Sequence, residues 1–155
     1  MSSKDDKYQR YADKVRIFNG ISAEEVDYIL HHGKILHFHE RQTIFHEGML
    51  GSNLFIILKG QVGIYHKNEL IAKCDVGDAF GEMAVLNHEP RTATAVALTE
   101  ARCFTLDEKE LNTILERRVA TKLLLNIIHV LSERLEQANA HLSDMRKQLK
   151  RLQQA

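Results

Sequence analysis

The sequence predicts an α+β, mainly β chain: a β sandwich or barrel, helices before it, and one long coiled-coil helix after it. Three observations carry this. Between Lys34 and Leu106, short β-rich runs alternate with turn signals about every eight to twelve residues, the spacing of an all-β sandwich or barrel. Ser22-Ala23-Glu24-Glu25 and Asp107-Glu108-Lys109-Glu110 flank that region, each a capping residue with a glutamate three positions on. From Val119 onward there is no proline or glycine, and apolar residues recur at alternating gaps of four and three.

Taken in order, residues 1–20 are polar at first and then place Tyr8, Tyr11, Val15 and Phe18 at helical spacings, which predicts a short packed helix. A second helix starts at the Ser22 cap, carries Val26, Ile29 and Leu30 inward, and is closed by Gly33. The predicted strands are Ile35–His39, Gln42–Phe45, Leu54–Lys59, Val62–His66, Leu70–Cys74, Ala79–Phe80, Thr92–Ala97 and Ala101–Leu106. Turns between them are marked by Glu47-Gly48, Gly51-Ser52-Asn53, Lys59-Gly60, Lys67-Asn68 and Val76-Gly77-Asp78. A helix of about Glu108–Arg117 should pack back through Leu111, Ile114 and Leu115. The last helix places Ile128, Leu135, Leu142 and Leu149 at one core position of a heptad. Leu124, Leu131, Ala138, Met145 and Leu152 take the other. Leu123, Leu125 and Ile127 widen the stripe at its start only, so the beginning is expected to pack on the β region and the rest to pair with a second subunit. The expected division is 1–117 for the β region with its flanking helices and 118–155 for the dimerisation helix, within one structural domain.

Bulk composition narrows the function classes. A hydrophobic content of 44% with 27% charged residues is that of a soluble globular chain. No apolar run reaches the roughly 18 residues that span a bilayer, and the N-terminus lacks a signal-peptide core, so a cytoplasmic protein with no membrane association is expected. Lys and Arg balance Asp and Glu at 21 each, which leaves no global electrostatic footprint for nucleic acid. Cys74 and Cys103 are too few for a disulfide scaffold or a four-thiolate metal site and are read as small core hydrophobes. His31, His32, His37 and His39 cluster in sequence, but His37 and His39 share one strand face opposite Phe38, the pattern of a solvated face. No metal is expected, and no nucleophile–base arrangement stands out as catalytic.

The informative stretch runs from Phe80 to Ala95. A glycine, Gly81, breaks a strand and opens a short apolar turn, Met83-Ala84-Val85-Leu86; a polar loop ending in the chain's one proline leads to Arg91. A glycine at a turn leaves backbone N–H groups unblocked, and at a helix opening they favour an anion. Arg91 is a planar two-pronged donor suited to phosphate oxygens, and Glu82 can accept from a vicinal sugar hydroxyl. Phosphate, hydroxyl and a tight apolar cradle together describe a nucleotide.

Phe80-Gly81-Glu82-Met83-Ala84, followed after a loop by Pro90-Arg91-Thr92-Ala93, resembles the phosphate-binding cassette of cyclic nucleotide-binding domains, F-G-E-[LIM]-A then P-R-[ST]-A. Weaker likenesses lie at Ile17-Phe18-Asn19-Gly20-Ile21-Ser22, at His46-Glu47-Gly48 and at Phe55 to Val62. The resemblance implies an eight-stranded jelly-roll β-barrel. It implies that Gly81, Met83, Ala84 and Thr92 meet a cyclic phosphate, with Phe80 and Ala93 completing the cassette. Arg91 would neutralise the phosphate and Glu82 would take the ribose 2′-hydroxyl. Val62, Ile64, Leu70, Ile71 and Val85 are candidates for the ligand-pocket walls. In DNA-binding members the purine meets polar residues of the long helix, which here brings Ala138 and Asn139 to that place. Cyclic AMP is the expected ligand; Thr92 also permits cyclic GMP.

The best-known bacterial members, the catabolite-activator and fumarate–nitrate regulators, continue from this helix into a helix-turn-helix module. The sequence has no recognition-helix candidate, so direct DNA binding is not expected. The reading is a homodimeric cyclic nucleotide sensor without catalytic activity or a cofactor, signalling to an output protein. The alternatives are a ligand-independent coiled-coil interaction protein with a degenerate cassette, and a modulator of a full-length transcription regulator.

Overall fold

The computed structural model describes residues 13–154. Tyr8 and Tyr11, half of the expected first helix, lie outside the described residues. Where that helix was expected to end, the chain forms a single 3-10 turn, Arg16–Phe18, with Val15, Ile17 and Phe18 buried. Helix α1 (Ala23–His32) carries the expected capping box: Ser22 Oγ accepts from Glu25 N at 3.2 Å and Glu25 Oε2 from Ser22 N at 3.1 Å. Gly33 follows, but in extended backbone rather than a left-handed cap. Its reason is space: a Cβ there would lie 2.4 Å from the Phe104 ring.

Eight strands follow: β1 (Lys34–Phe38), β2 (Thr43–Phe45), β3 (Asn53–Lys59), β4 (Val62–His66), β5 (Glu69–Cys74), β6 (Ala79–Phe80), β7 (Thr94–Ala97) and β8 (Ala101–Asp107). They form two four-stranded antiparallel sheets, ordered β1-β8-β3-β6 and β2-β7-β4-β5, a jelly-roll arrangement. Each expected strand is present within two residues of its expected ends. The largest shift is at β7, which starts at Thr94 rather than Thr92. The preceding backbone is bonded elsewhere: Gly48 N donates to Arg91 O at 2.7 Å, and Arg91 N to Met49 O at 2.9 Å.

Two cores share the first sheet. On β3, Leu54, Ile56 and Leu58 face the helices, while Phe55 and Ile57 face the second sheet. Both faces are covered, which is why this strand reads as an unbroken apolar run rather than an alternating one. Strand β8 repeats the pattern, with Phe104 and Leu106 toward the helices and Ala101 and Cys103 toward the second sheet.

Helix α2 (Glu82–Asn87) sits between β6 and β7. Helix α3 (Glu108–Leu115) has its own capping box, Asp107 with Glu110, at 2.7 and 2.8 Å, and buries Leu111 and Ile114 as expected. Helix α4 (Val119–Gln153) packs its first turns through Val119, Ala120, Leu123 and Val130. Leu125 was expected there and is exposed instead, because Asn126 turns inward: its Nδ2 donates to Ile17 O at 2.9 Å and Asn19 O at 2.7 Å. Beyond Arg134 no residue of the helix is buried, and Leu135, Leu142, Met145, Leu149 and Leu152 form an exposed apolar stripe. Among the described residues no helix is long and apolar enough to cross a membrane.

Candidate binding site

The site starts where β6 ends. Phe80 is buried and pairs with Phe55 across the sheet, so the chain leaves the strand at a fixed point. Gly81 then turns left-handed, with φ +77°, and caps α2. Only glycine fits, on two counts: the backbone conformation, and a Cβ that would sit 2.6 Å from Arg91 Nη1. Glu82 lies in the first turn of α2, half-buried; Met83 is exposed and Ala84 buried.

Arg91 returns over this turn. Its Nη1 donates to Gly81 O and its Nη2 to Asn53 O, both at 2.8 Å. Its guanidinium carbon lies 4.1 Å from the centre of the Phe45 ring. The side chain is only 6% exposed, yet it makes no ion pair with a carboxylate among the described residues. Burial lowers its pKa and the charge of Glu82 opposes that shift, so the site holds a desolvated cation without a paired counter-ion.

A cavity of about 940 Å³ opens beside this arginine. The cassette lines one end with Phe80, Gly81, Glu82, Met83, Ala84, Arg91, Thr92 and Ala93. Thus every cassette residue but Pro90 lines it. Phe45 and Ile64 lie beneath, and Ile71, Cys74, Asp75, Val76 and Asp78 come from β5 and the turn after it. Opposite them stand Glu133, Arg134, Gln137, Ala138, His141 and Leu142 of α4, with Arg16.

Other expected wall residues lie elsewhere. Val62 is fully buried in the inter-sheet core, Val85 lies in the helix-side core, and Leu70 is exposed away from the cavity. On α4 the cavity takes Ala138, as expected, but not Asn139, which is exposed outside the lining. Arg134, Gln137 and His141 line the cavity without having been expected there. Their spacing was a usable signal: with Ala138 they occupy i, i+3, i+4 and i+7, a single helix face.

This part of the helix is tied to the β-roll through Arg134 and to the 3-10 turn through Glu133. Arg134 Nη2 lies 3.7 Å from Cys74 Sγ, and Arg16 pairs with Glu133. Burial pushes the Cys74 thiol up to about 11 and Cys103 to about 12, so both stay protonated at neutral pH. That agrees with the reading of both as small core residues. His37 and His39 are exposed while Phe38 between them is buried, again as expected; His39 Nδ1 lies 3.2 Å from Glu100 Oε1.

Comparison with known proteins bears on the fold and the family. The family model described as "Cyclic nucleotide-binding domain" matches residues 35–118. A CRP-like cAMP-activated global transcriptional regulator of Mycobacterium tuberculosis is 28% identical over 134 residues, covering 83% of this chain and 59% of the relative. A cAMP-dependent protein kinase regulatory subunit of Candida albicans is 32% identical over 107 residues, covering 66% of this chain and 23% of its own length. The solved Thermus thermophilus catabolite activator protein superposes with a TM-score of 0.72 at 27% identity, over 84% of this chain and 62% of that one. A Methylobacillus flagellatus domain shares the fold, with a TM-score of 0.78 at 23% identity, over 89% of this chain and 85% of that one. The chain therefore spans less than two thirds of the regulators it matches.

Proposed function

The chain belongs to the cyclic nucleotide-binding domain family, and from that premise we propose that it is a sensor of cyclic AMP, with cyclic GMP as the weaker ligand. In this reading it dimerises through α4 and signals to a separate output protein. It acts by binding, not by catalysis. The observation that carries the proposal is Arg91, a buried guanidinium with no paired carboxylate among the described residues, at the wall of a nucleotide-sized cavity. A cyclic phosphate would supply the missing counter-charge. Arg91 has used two of its N–H donors on backbone carbonyls, and three remain for phosphate oxygens. Glu82, one residue from the glycine turn, would accept from the ribose 2′-hydroxyl. The purine would extend toward the α4 face.

The cavity has two walls of different kinds, and this supports a switch. The cassette belongs to the β-roll, whereas the facing wall is the stretch of α4 beyond its buried turns, tied by Arg134 to Cys74 and by Glu133 to Arg16. A ligand touching both would favour the arrangement in which they are close, and so shift a two-state equilibrium. The exposed stripe from Leu135 to Leu152 supports pairing with a second copy, since an apolar strip of that length is otherwise left in water.

One observation favours a competing reading, a coiled-coil interaction protein whose cassette no longer binds nucleotide. The two bonds from Arg91 to Gly81 O and Asn53 O fasten the cassette through protein groups alone. Titration calorimetry of the full chain with cyclic AMP and cyclic GMP separates the two. One saturable site per chain, tighter for cyclic AMP, is expected; no heat with either nucleotide would overturn the sensor reading.

A further inference from the structure

A buried guanidinium ordinarily needs a carboxylate, and Arg91 has none in pairing distance among the described residues. Something else must hold the cation. The residue beneath it is Phe45 of β2, whose ring centre is 4.1 Å from the guanidinium carbon; Phe55 is next at 5.7 Å. Phe45 does not stand alone. Its ring lies 5.7 Å from Phe55 and 5.9 Å from Phe80, and those two stack at 5.1 Å with their planes 12° apart. Phe55 and Phe80 are register partners on the first sheet, while Phe45 comes from the second. The three rings thus tie together both sheets and the first residue of the cassette, with Phe45 directly under the arginine.

We propose that Phe45 is a positioning residue for the bound anion, its π face replacing a carboxylate as the support of Arg91. This rests on the nucleotide-binding reading above. The arginine is fixed in its own plane by two carbonyl bonds and across that plane by the ring. A carboxylate in the place of Phe45 would hold the arginine too, but it would neutralise the charge and compete with the phosphate. An aromatic face attracts the cation through its quadrupole and leaves the net charge in place. With one face covered, the anion is received at the three unused N–H donors, and little ordering remains to be done when it arrives.

The test is to vary the ring's electron density while leaving its size nearly unchanged. Phenylalanine at position 45 is replaced in the full chain by its mono-, di- and trifluoro analogues, and cyclic AMP affinity is measured by titration calorimetry. Each added fluorine weakens the π face, so affinity should fall stepwise, by about tenfold across the series. A merely structural ring would give no such gradient, because packing is nearly preserved. A flat or rising series overturns the proposal. The same series in an Arg91→Gln background provides the control: there the gradient should flatten, and its persistence would show that the ring acts on the ligand without the arginine. Fluorinated proteins that melt far below the parent also overturn it, since the ring would then serve the fold. A parent chain that binds neither nucleotide instead refutes the sensor reading itself, which keeps the two failures distinguishable.

Discussion

Replacing Arg91 by alanine should act on two quantities at once, and their separation tests how the site is built. The side chain donates to Gly81 O and Asn53 O and covers the Phe45 ring. Removing it takes the Arg91 donor from two carbonyl groups, a loss of up to about 1–3 kcal/mol for each where no other donor or water replaces it. The cavity beside them admits water, which places the expected loss near the lower end, about 2 kcal/mol in total. For a chain of this length that is a fall of roughly 4–8 °C in Tm. Loss of an unpaired buried cation offsets part of this, since its desolvation penalty disappears as well. The binding arm is larger. A phosphate left without its cation loses about 2–5 kcal/mol, at least roughly 30-fold in affinity. Differential scanning calorimetry without nucleotide and titration calorimetry with it give the two numbers separately. Arg91→Lys should keep part of the affinity and little of the stability, because an ammonium cannot span both carbonyls as a planar fork does. Unchanged affinity in Arg91→Ala would place the anion elsewhere. Unchanged melting would show that the two carbonyl bonds contribute nothing net.

Three further outcomes are expected. Thr92→Ala should leave cyclic AMP affinity within a few-fold while any cyclic GMP binding loses about 1 kcal/mol, the scale of one hydrogen bond; equal losses in parallel titrations would assign the hydroxyl to the phosphate. Gly81→Ala must adopt positive φ and brings a Cβ within 2.6 Å of Arg91 Nη1, so the chain should lose about 1–2 kcal/mol or more in denaturant unfolding and bind nucleotide poorly; a silent substitution would refute the tight turn. Truncation after Arg134 removes the whole exposed apolar stripe together with Gln137, Ala138 and His141, so sedimentation should show a weaker dimer and calorimetry a weaker nucleotide site, with the β-roll circular dichroism retained. A truncated chain that stays a tight dimer would move the interface to the roll.

The fold was largely legible because its signals are local. Turn glycines, two capping boxes and β-rich runs fix where elements start and stop, and each of these depends on residues a few positions apart. The cassette was legible for the same reason: its functional groups lie within one short stretch, and folding only closes it on itself. What escaped were contacts made at long range. Val62 was expected among the pocket walls, but strand alternation places it in the inter-sheet core instead. Phe45 carried no visible sign of its role, since its contact with Arg91 joins residues far apart in sequence across two elements. Gly33 was expected to close a helix through its backbone freedom, and it is required instead by the approach of Phe104 from β8.

The α4 helix shows why a periodic pattern can be read correctly and still be incomplete. Alternating gaps of four and three select one seam, and along it Ala138 and Leu142 are two ordinary heptad positions. In the folded chain those same two residues also line the cavity, where they sit beside Arg134, Gln137 and His141. A helix has no sharp border between adjacent faces: positions one turn apart on the seam are also neighbours of the face next to it. Two surfaces that share residues cannot be occupied independently. If a second copy covers the seam, it must touch Ala138 and Leu142 at the rim of the cavity, and a ligand there must touch them from the other side. The two binding events are then linked by a single coupling free energy, equal in both directions, and typical couplings amount to about 1–3 kcal/mol. The smallness of Ala138 fits that arrangement, since a leucine in its place would fill the room that seam and cavity share.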